Sequence, residues 1–88
     1  MGRRRYPPLA PSEVIAILEA LGFTFKRQDG SHKHYERAAD EQRLRSLVTV
    51  DVSVSSFNVY LLKSMIRQSN FDREAFYGAT EKTRKKIS

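Results

Sequence analysis

The two histidines of this 88-residue chain lie in one short segment, Gly30-Ser31-His32-Lys33-His34-Tyr35. Histidine is the side chain whose unperturbed pKa allows proton exchange near neutral pH. The chain is also basic, with sixteen Lys and Arg against ten Asp and Glu and a formal net charge of +6. Because a basic surface attracts polyanions, the combination indicates acid–base chemistry on a nucleic acid, or at least contact with one.

RNA cleavage without a metal ion needs a base that removes the 2′-hydroxyl proton and an acid that protonates the leaving oxygen. His32, directly after a predicted tight turn, is the candidate for either role, and Ser31 is placed to hydrogen-bond a phosphate or orient the imidazole. Lys26, Arg27 and Lys33 are candidates for stabilising negative charge in the transition state. In the alternative interpretation, His32 only packs in the strand or binds phosphate.

His34 shares a strand face with His32, because successive side chains of a strand point to opposite faces. Three interpretations of His34 stay open: a second proton-transfer group, part of a metal site with His32 and Glu36, and an ordinary sheet residue. The metal site is the least favoured, since a strand spaces alternate residues about 7 Å apart and no further ligand is evident. We therefore expect no metal and no cofactor.

The patterns on either side of this segment predict the order α-β-β-β-α with a short additional helix. Apolar residues at i, i+3, i+4 and i+7 predict a first helix over residues 12–21 that is capped by Ser12. Strands are predicted over residues 23–28, 31–37 and 47–52, with Asp29-Gly30 as a two-residue type I′ turn and residues 38–46 as a loop. The expected fold class is α+β, a two-layer sandwich with both main helices on one face of the sheet.

The second helix is predicted to be capped by Ser53, Ser55 or Ser56 and to end at Asn70, with Phe57 on its apolar side. A short third helix is predicted from Asp72 to Tyr77, closed by Gly78.

A chain of this length is expected to form one domain around a thin core. Its prolines predict that residues 1–11 form an extended basic arm. Residues 12–78 are then the domain, and residues 79–88 a basic flexible tail. The absence of cysteine excludes disulfides and thiolate metal sites, and no apolar run reaches the ~18 residues of a membrane span. These features predict a cytoplasmic protein that does not contact the membrane.

The run from Ser12 to Gly22-Phe23, followed by Arg27-Gln28-Asp29-Gly30-Ser31-His32, resembles the HicA toxins of bacterial HicA–HicB toxin–antitoxin modules. That family shows a helix ending in Leu-Gly-Phe, an Arg-x-x-Gly-Ser-His turn, a Val-x-Val strand and a helix similar to residues 61–68. The resemblance covers residues 12–77. It implies a fold like that of a double-stranded-RNA-binding domain and the activity of a small mRNA interferase.

In the family, the histidine of the Gly-Ser-His turn is the catalytic residue, so the resemblance implies that role for His32. Gly30 would shape the turn, and Ser31, Lys33 and His34 would support the site. We also expect five basic side chains to contact RNA: Lys26, Arg27, Lys33, Lys63 and Arg67. The implied partners are mRNA and a HicB-like antitoxin protein that covers the active face.

Three functions are weighed on this basis. The first is a toxin that cleaves mRNA by metal-independent histidine catalysis. The second is a non-catalytic RNA-binding module, because double-stranded RNA is read mostly through its shape, phosphates and 2′-hydroxyls. The third is a protein-interaction subunit that binds no nucleic acid. The first function predicts cleavage of RNA, the second predicts salt-sensitive binding without cleavage, and the third predicts that no RNA is retained.

Overall fold

A computed structural model describes residues 5–88 of the chain. The elements are, in order, α1 (Pro11–Ala20), β1 (Thr24–Asp29), β2 (His32–Arg37), β3 (Ser46–Asp51), α2 (Val59–Ser69), α3 (Arg73–Gly78) and α4 (Glu81–Arg84). The three strands form one antiparallel sheet in the order β1-β2-β3. This confirms the predicted α+β class, and the α-β-β-β-α arrangement fits that of a double-stranded-RNA-binding domain. No helix within residues 5–88 has both the length and the apolar character needed to cross a membrane.

The turn between β1 and β2 lies one residue later than predicted. Asp29 pairs with His32, so the two turn residues are Gly30 and Ser31, and the predicted Asp29-Gly30 turn is wrong. Gly30 has a φ of +59°, whereas Ser31 has none of the positive φ that a type I′ turn requires at its second position. A positive φ at the first central residue alone is the pattern of a type II′ turn.

The core lies between one face of the sheet and the two main helices. Tyr35, Val48 and Val50 supply the sheet side of this single buried cluster. Helix α1 contributes Val14, Ile17 and Leu18, and helix α2 contributes Leu62, Met65 and Ile66. Because side chains alternate along a strand, the burial of Tyr35 leaves His32, His34 and Glu36 on the opposite, outer face.

The first helix begins one residue earlier than predicted, so Ser12 is not its cap. Ala10 is the N-cap residue and Pro11 occupies the first helical position, where a missing N–H costs nothing and φ is already suitable. The Glu13 carboxylate accepts a hydrogen bond of 2.8 Å from the Ala10 backbone N–H. This contact is the half of a capping box that does not need a cap side chain: it satisfies the Ala10 N–H, while alanine offers no acceptor to the N–H groups of the first helical turn.

The second helix is capped by Asn58, whose side chain accepts a hydrogen bond from the Leu61 N–H. The predicted caps at Ser53, Ser55 and Ser56 are therefore wrong, as is the helical placement of Phe57. Two other predicted cap residues, one for each of the next two helix boundaries, are confirmed. Asn70 closes α2 in the left-handed conformation with a φ of +63°, and Asp72 caps α3.

Both ends of the described chain pack on the domain, at the positions where the sequence predicted an extended arm and a flexible tail. Leu9 is fully buried and forms an isolated β-bridge with Phe57. At the other end, Thr83 is buried in α4 and its hydroxyl donates to the Tyr77 carbonyl at 2.6 Å. Lys82 and Lys86 also form ion pairs with Glu13 of α1. Arg3 and Arg4 of the predicted arm lie outside the described residues.

Candidate active site

His32 is the first residue of β2 and follows the Gly30-Ser31 turn directly. Its side chain is 54% exposed on the outer face of the sheet, opposite Asp51 of β3. The distance from His32 Nε2 to Asp51 Oδ2 is 3.9 Å. This is too long for a direct hydrogen bond, but it is close enough for the carboxylate to attract a protonated imidazole.

Asp51 is held in place by the turn that follows β3. The Ser53 hydroxyl donates to Asp51 Oδ1 at 2.7 Å, and the Ser53 backbone N–H donates to the same oxygen at 2.9 Å. The hydroxyl hydrogen bond is the main reason that the pKa of Asp51 lies below its usual value, with further contributions from Ser31 and His32. Near neutral pH, Asp51 is therefore a fixed anion beside His32.

His34 uses both of its ring nitrogens within the sheet. Nε2 lies 3.0 Å from Asp29 Oδ2 in β1, and Nδ1 lies 2.9 Å from Thr49 Oγ1 in β3. A hydrogen bond from Arg27, 3.0 Å long, is the main cause that lowers the pKa of Asp29. Because a carboxylate can only accept, the His34 tautomer that fits these contacts has its proton on Nε2, directed at Asp29, and accepts at Nδ1 from the Thr49 hydroxyl. His34 links the three strands, and its side chain is only 15% exposed.

The three side chains considered for a metal site do not converge. His32 faces Asp51, His34 bridges Asp29 and Thr49, and Glu36 pairs with Lys26 at 3.2 Å and with Arg45. Among residues 5–88, no group of three or more His, Cys, Asp or Glu is arranged to hold an ion. Each of the three side chains instead contacts its own set of neighbouring residues.

The basic side chains of the hairpin also have other partners. Lys26 and Arg27 form ion pairs with Glu36 and Asp29, which offset their charge. Lys33 lies opposite Val50 in the register of β2 and β3, so its side chain is on the face of the sheet opposite His32. The structure therefore does not gather these three cations around the His32 imidazole.

A groove lies beside His32, where α2 packs against the edge strand β3. Its volume is about 280 Å³. Outer-face residues of β2 and β3 form one wall, and α2 with the segment before it forms the other. The lining residues are His32, Thr49, Asp51, Val54, Phe57, Leu61, Ser64, Met65 and Gln68.

Most of these lining residues carry no functional signal in the sequence. The i, i+3/i+4, i+7 spacing of Leu61, Ser64 and Gln68 was visible as one helical strip. That this strip borders His32 depends on how α2 packs against β3. Asp51 was likewise visible at the end of a predicted strand, but its position opposite His32 depends on the register.

Two of the predicted RNA-binding residues lie on the exposed side of α2. Lys63 and Arg67 are both exposed and are four residues apart, so they neighbour each other on the helix surface. Lys63 Nζ lies 5.2 Å from the centroid of the Tyr6 ring. Among residues 5–88 neither cation forms an ion pair, which leaves their charge available to a ligand.

Comparison with known protein families gives a match over residues 11–71 to the family described as the HicA toxin of bacterial toxin–antitoxin. The matched residues include α1, the whole sheet and α2, and thus both walls of the groove. A search of the curated proteins found no match.

Proposed function

The chain belongs to the HicA toxin family of bacterial toxin–antitoxin systems, and from that premise we propose that it is an endoribonuclease that cleaves mRNA. The proposed chemistry is acid–base catalysis by His32 without a metal ion. The observation that supports it best is the exposed His32 imidazole on the rim of a groove, next to the fixed carboxylate of Asp51. A cognate antitoxin is the protein partner that the family implies.

The reaction proposed is attack by a ribose 2′-oxygen on the adjacent phosphorus. The 2′-oxygen to phosphorus bond forms, the phosphorus to 5′-oxygen bond breaks, and the products are a 2′,3′-cyclic phosphate and a 5′-hydroxyl. The 2′-hydroxyl proton passes to a base, and the leaving 5′-oxygen takes a proton from an acid. His32 in its neutral form can accept the first proton and as imidazolium can donate the second.

Asp51 fits a positioning role better than that of a base. Its pKa is lowered by the two hydrogen bonds from Ser53, so it has little tendency to take a proton near neutral pH. Its negative charge lies 3.9 Å from the ring nitrogen that would carry positive charge during the reaction. His34 is proposed to support the site by tying β2 to its neighbours, because both of its nitrogens are already engaged.

For RNA binding, we assign the main role to Lys63 and Arg67. Phosphate contacts need cations whose charge is not offset, and these two lie on the exposed side of the helix that borders the groove. Lys26 and Arg27 would contribute less, since each faces a carboxylate. Lys33 would also contribute less, because it lies on the face of the sheet opposite His32.

The decisive experiment compares the cleavage of a labelled RNA in EDTA by the wild type, His32→Ala and Asp51→Asn, with circular dichroism as the check on folding. We expect His32→Ala to abolish cleavage and growth inhibition. We expect Asp51→Asn, which keeps the shape and removes the charge, to lower kcat by less and to change the pH–rate profile. Exposed His32 makes few packing contacts, so the thermal stability of His32→Ala should equal that of the wild type.

Each proposed element can fail separately. Cleavage by a folded His32→Ala protein would contradict the catalytic assignment. Loss of wild-type cleavage in EDTA and its recovery with added divalent ions would contradict metal independence. If the wild type leaves RNA intact but binds it in a salt-sensitive way, the second function, a non-catalytic RNA-binding module, is correct.

A further inference from the structure

We propose that the groove between β3 and α2 holds one unpaired nucleotide of the RNA, next to the phosphate at which His32 acts as acid–base catalyst, with Ser64 and Gln68 contacting the edge of its base. The inference rests on the proposed function, because it takes RNA as the ligand. The groove measures about 280 Å³, just below the ~300–1,000 Å³ of pockets that hold drug-sized ligands. A single base is smaller than a drug-sized ligand and can enter a groove of this volume.

The lining matches the two surfaces of a nucleobase. Val54, Leu61 and Met65 are apolar and can contact the flat faces of a base. The Gln68 amide carries donors and an acceptor, and the Ser64 hydroxyl can serve as either. Among residues 5–88, neither of these polar groups has a hydrogen-bond partner within the protein, so both are available to a ligand.

The surface of α2 favours RNA over an apolar side chain of a partner protein. Leu62, Ile66 and Ser69 of this helix are buried, and Leu61, Ser64 and Gln68 form the next strip, along the groove. Lys63 and Arg67 belong to the strip after that, and Ser64 and Arg67 are neighbours three residues apart. A strand with one base in the groove can therefore place its adjoining phosphates on the two cations.

An unpaired nucleotide also suits the chemistry. Bases in a duplex are stacked and paired, so only an unpaired or extruded base can enter a groove of this size. The in-line approach of a 2′-oxygen needs a flexible backbone, which a single strand has. The expected substrate is therefore a single-stranded region, although the fold resembles one that commonly binds duplex RNA by shape.

The cleavage test uses Gln68→Leu, Ser64→Phe and the matched control Gln42→Leu, with thermal unfolding of each. Gln42 is exposed in the loop before β3, so its replacement makes the same chemical change away from the groove. With a random-sequence single-stranded RNA, Gln68→Leu should reduce the base preference beside the cut about fivefold, the effect of one hydrogen bond. Ser64→Phe, which fills the groove, should lower kcat/KM by about tenfold or more. Gln42→Leu should match the wild type.

The binding test does not depend on catalysis. Inactive His32→Ala protein is titrated with a short single-stranded RNA, and the methyl signals of Val54, Leu61 and Met65 are followed by NMR. We expect these signals to shift with the single strand. The shifts should be absent with the same RNA annealed to its complement. They should also be absent when the protein carries Ser64→Phe in addition to His32→Ala.

The two proposals can be separated by these results. Shifts in the groove without any wild-type cleavage would leave the groove inference standing and refute the nuclease. His32-dependent cleavage by Ser64→Phe and Gln68→Leu at the rate and preference of Gln42→Leu would refute the groove inference alone. It would also be refuted if both variants cleaved normally but escaped neutralisation by the cognate antitoxin, because the groove would then be a protein-binding site.

Discussion

Leu9 should be one of the most important apolar residues of this domain, although it lies before the first helix among prolines. Its side chain is fully buried, and its backbone forms a bridge with Phe57 in which the Phe57 N–H donates to the Leu9 carbonyl at 2.9 Å. Leu9→Ala keeps that backbone bond and removes only buried side-chain atoms. The expected effect is therefore the transfer and cavity cost of a core leucine.

That cost is about 2–5 kcal/mol for a buried leucine, against a total stability of about 5–15 kcal/mol for a typical domain. In a domain of this size each kcal/mol lowers Tm by about 4–8 °C, so Leu9→Ala should lower Tm by roughly 8–40 °C. The assay is urea unfolding and thermal unfolding followed by circular dichroism. Leu44→Ala is the matched control, because Leu44 is 77% exposed and should lose less than about 0.5 kcal/mol.

The comparison between the two leucines decides the matter. If Leu9→Ala is no more destabilising than Leu44→Ala, residues before Pro11 form a free arm after all, and the packing of Leu9 on Phe57 does not persist in solution. If Leu9→Ala is strongly destabilising, the folded unit begins before the family match at residue 11.

Two further predictions concern a helix cap and an acid-sensitive loop. Asn58→Ala should cost about 1 kcal/mol, seen as a lower urea midpoint, because the Leu61 N–H loses its 3.0 Å partner; an unchanged midpoint would refute the cap. The pKa of Asp40 is lowered to about 2, chiefly by the backbone N–H of Gln42 and then of Arg43. A lowered folded-state pKa stabilises the fold above the unfolded value of about 3.9, and this contribution is lost as the pH falls towards 2. Asp40→Asn should therefore flatten the pH dependence of stability between about pH 4 and 2, and an unchanged slope in urea unfolding would contradict this.

The periodic elements were predictable from the sequence because their signals are local. The apolar stripe of α1 and the β-branched run of β3 led to elements of the correct type in the correct order. Errors of one to five residues occurred where two local signals compete. At the start of α1, Ser12 is a good cap, but Pro11 is better suited to the first helical position than to a place outside the helix. At the start of α2, three serines preceded the asparagine that actually forms the cap.

Contacts between distant parts of the chain could not be predicted in the same way. Leu9 and Thr83 are each one buried residue in a segment without periodicity, and only the packed domain shows where they belong. The same holds for Asp51. The sequence shows only that it lies at the end of a strand, and it becomes part of the site through its position opposite His32 in the sheet register. The place of His32 near the start of β2, in contrast, was predicted to within one residue by a local turn signal, and its role is implied by a local family motif.

The one-residue displacement of the turn explains why the cations expected around His32 lie elsewhere. A turn at Asp29-Gly30 would pair His32 with Arg27 and bring a guanidinium beside the imidazole. With the turn at Gly30-Ser31, His32 pairs with Asp29 and Arg27 pairs with His34, and the register shifts only beyond Arg27, between Phe25 and Arg27. Arg27 then bonds to Asp29, which in turn holds His34. The charged side chains of the hairpin thus bind one another. Among the described residues, the positive charge beside the groove that has no acidic partner comes from Lys63 and Arg67 of α2.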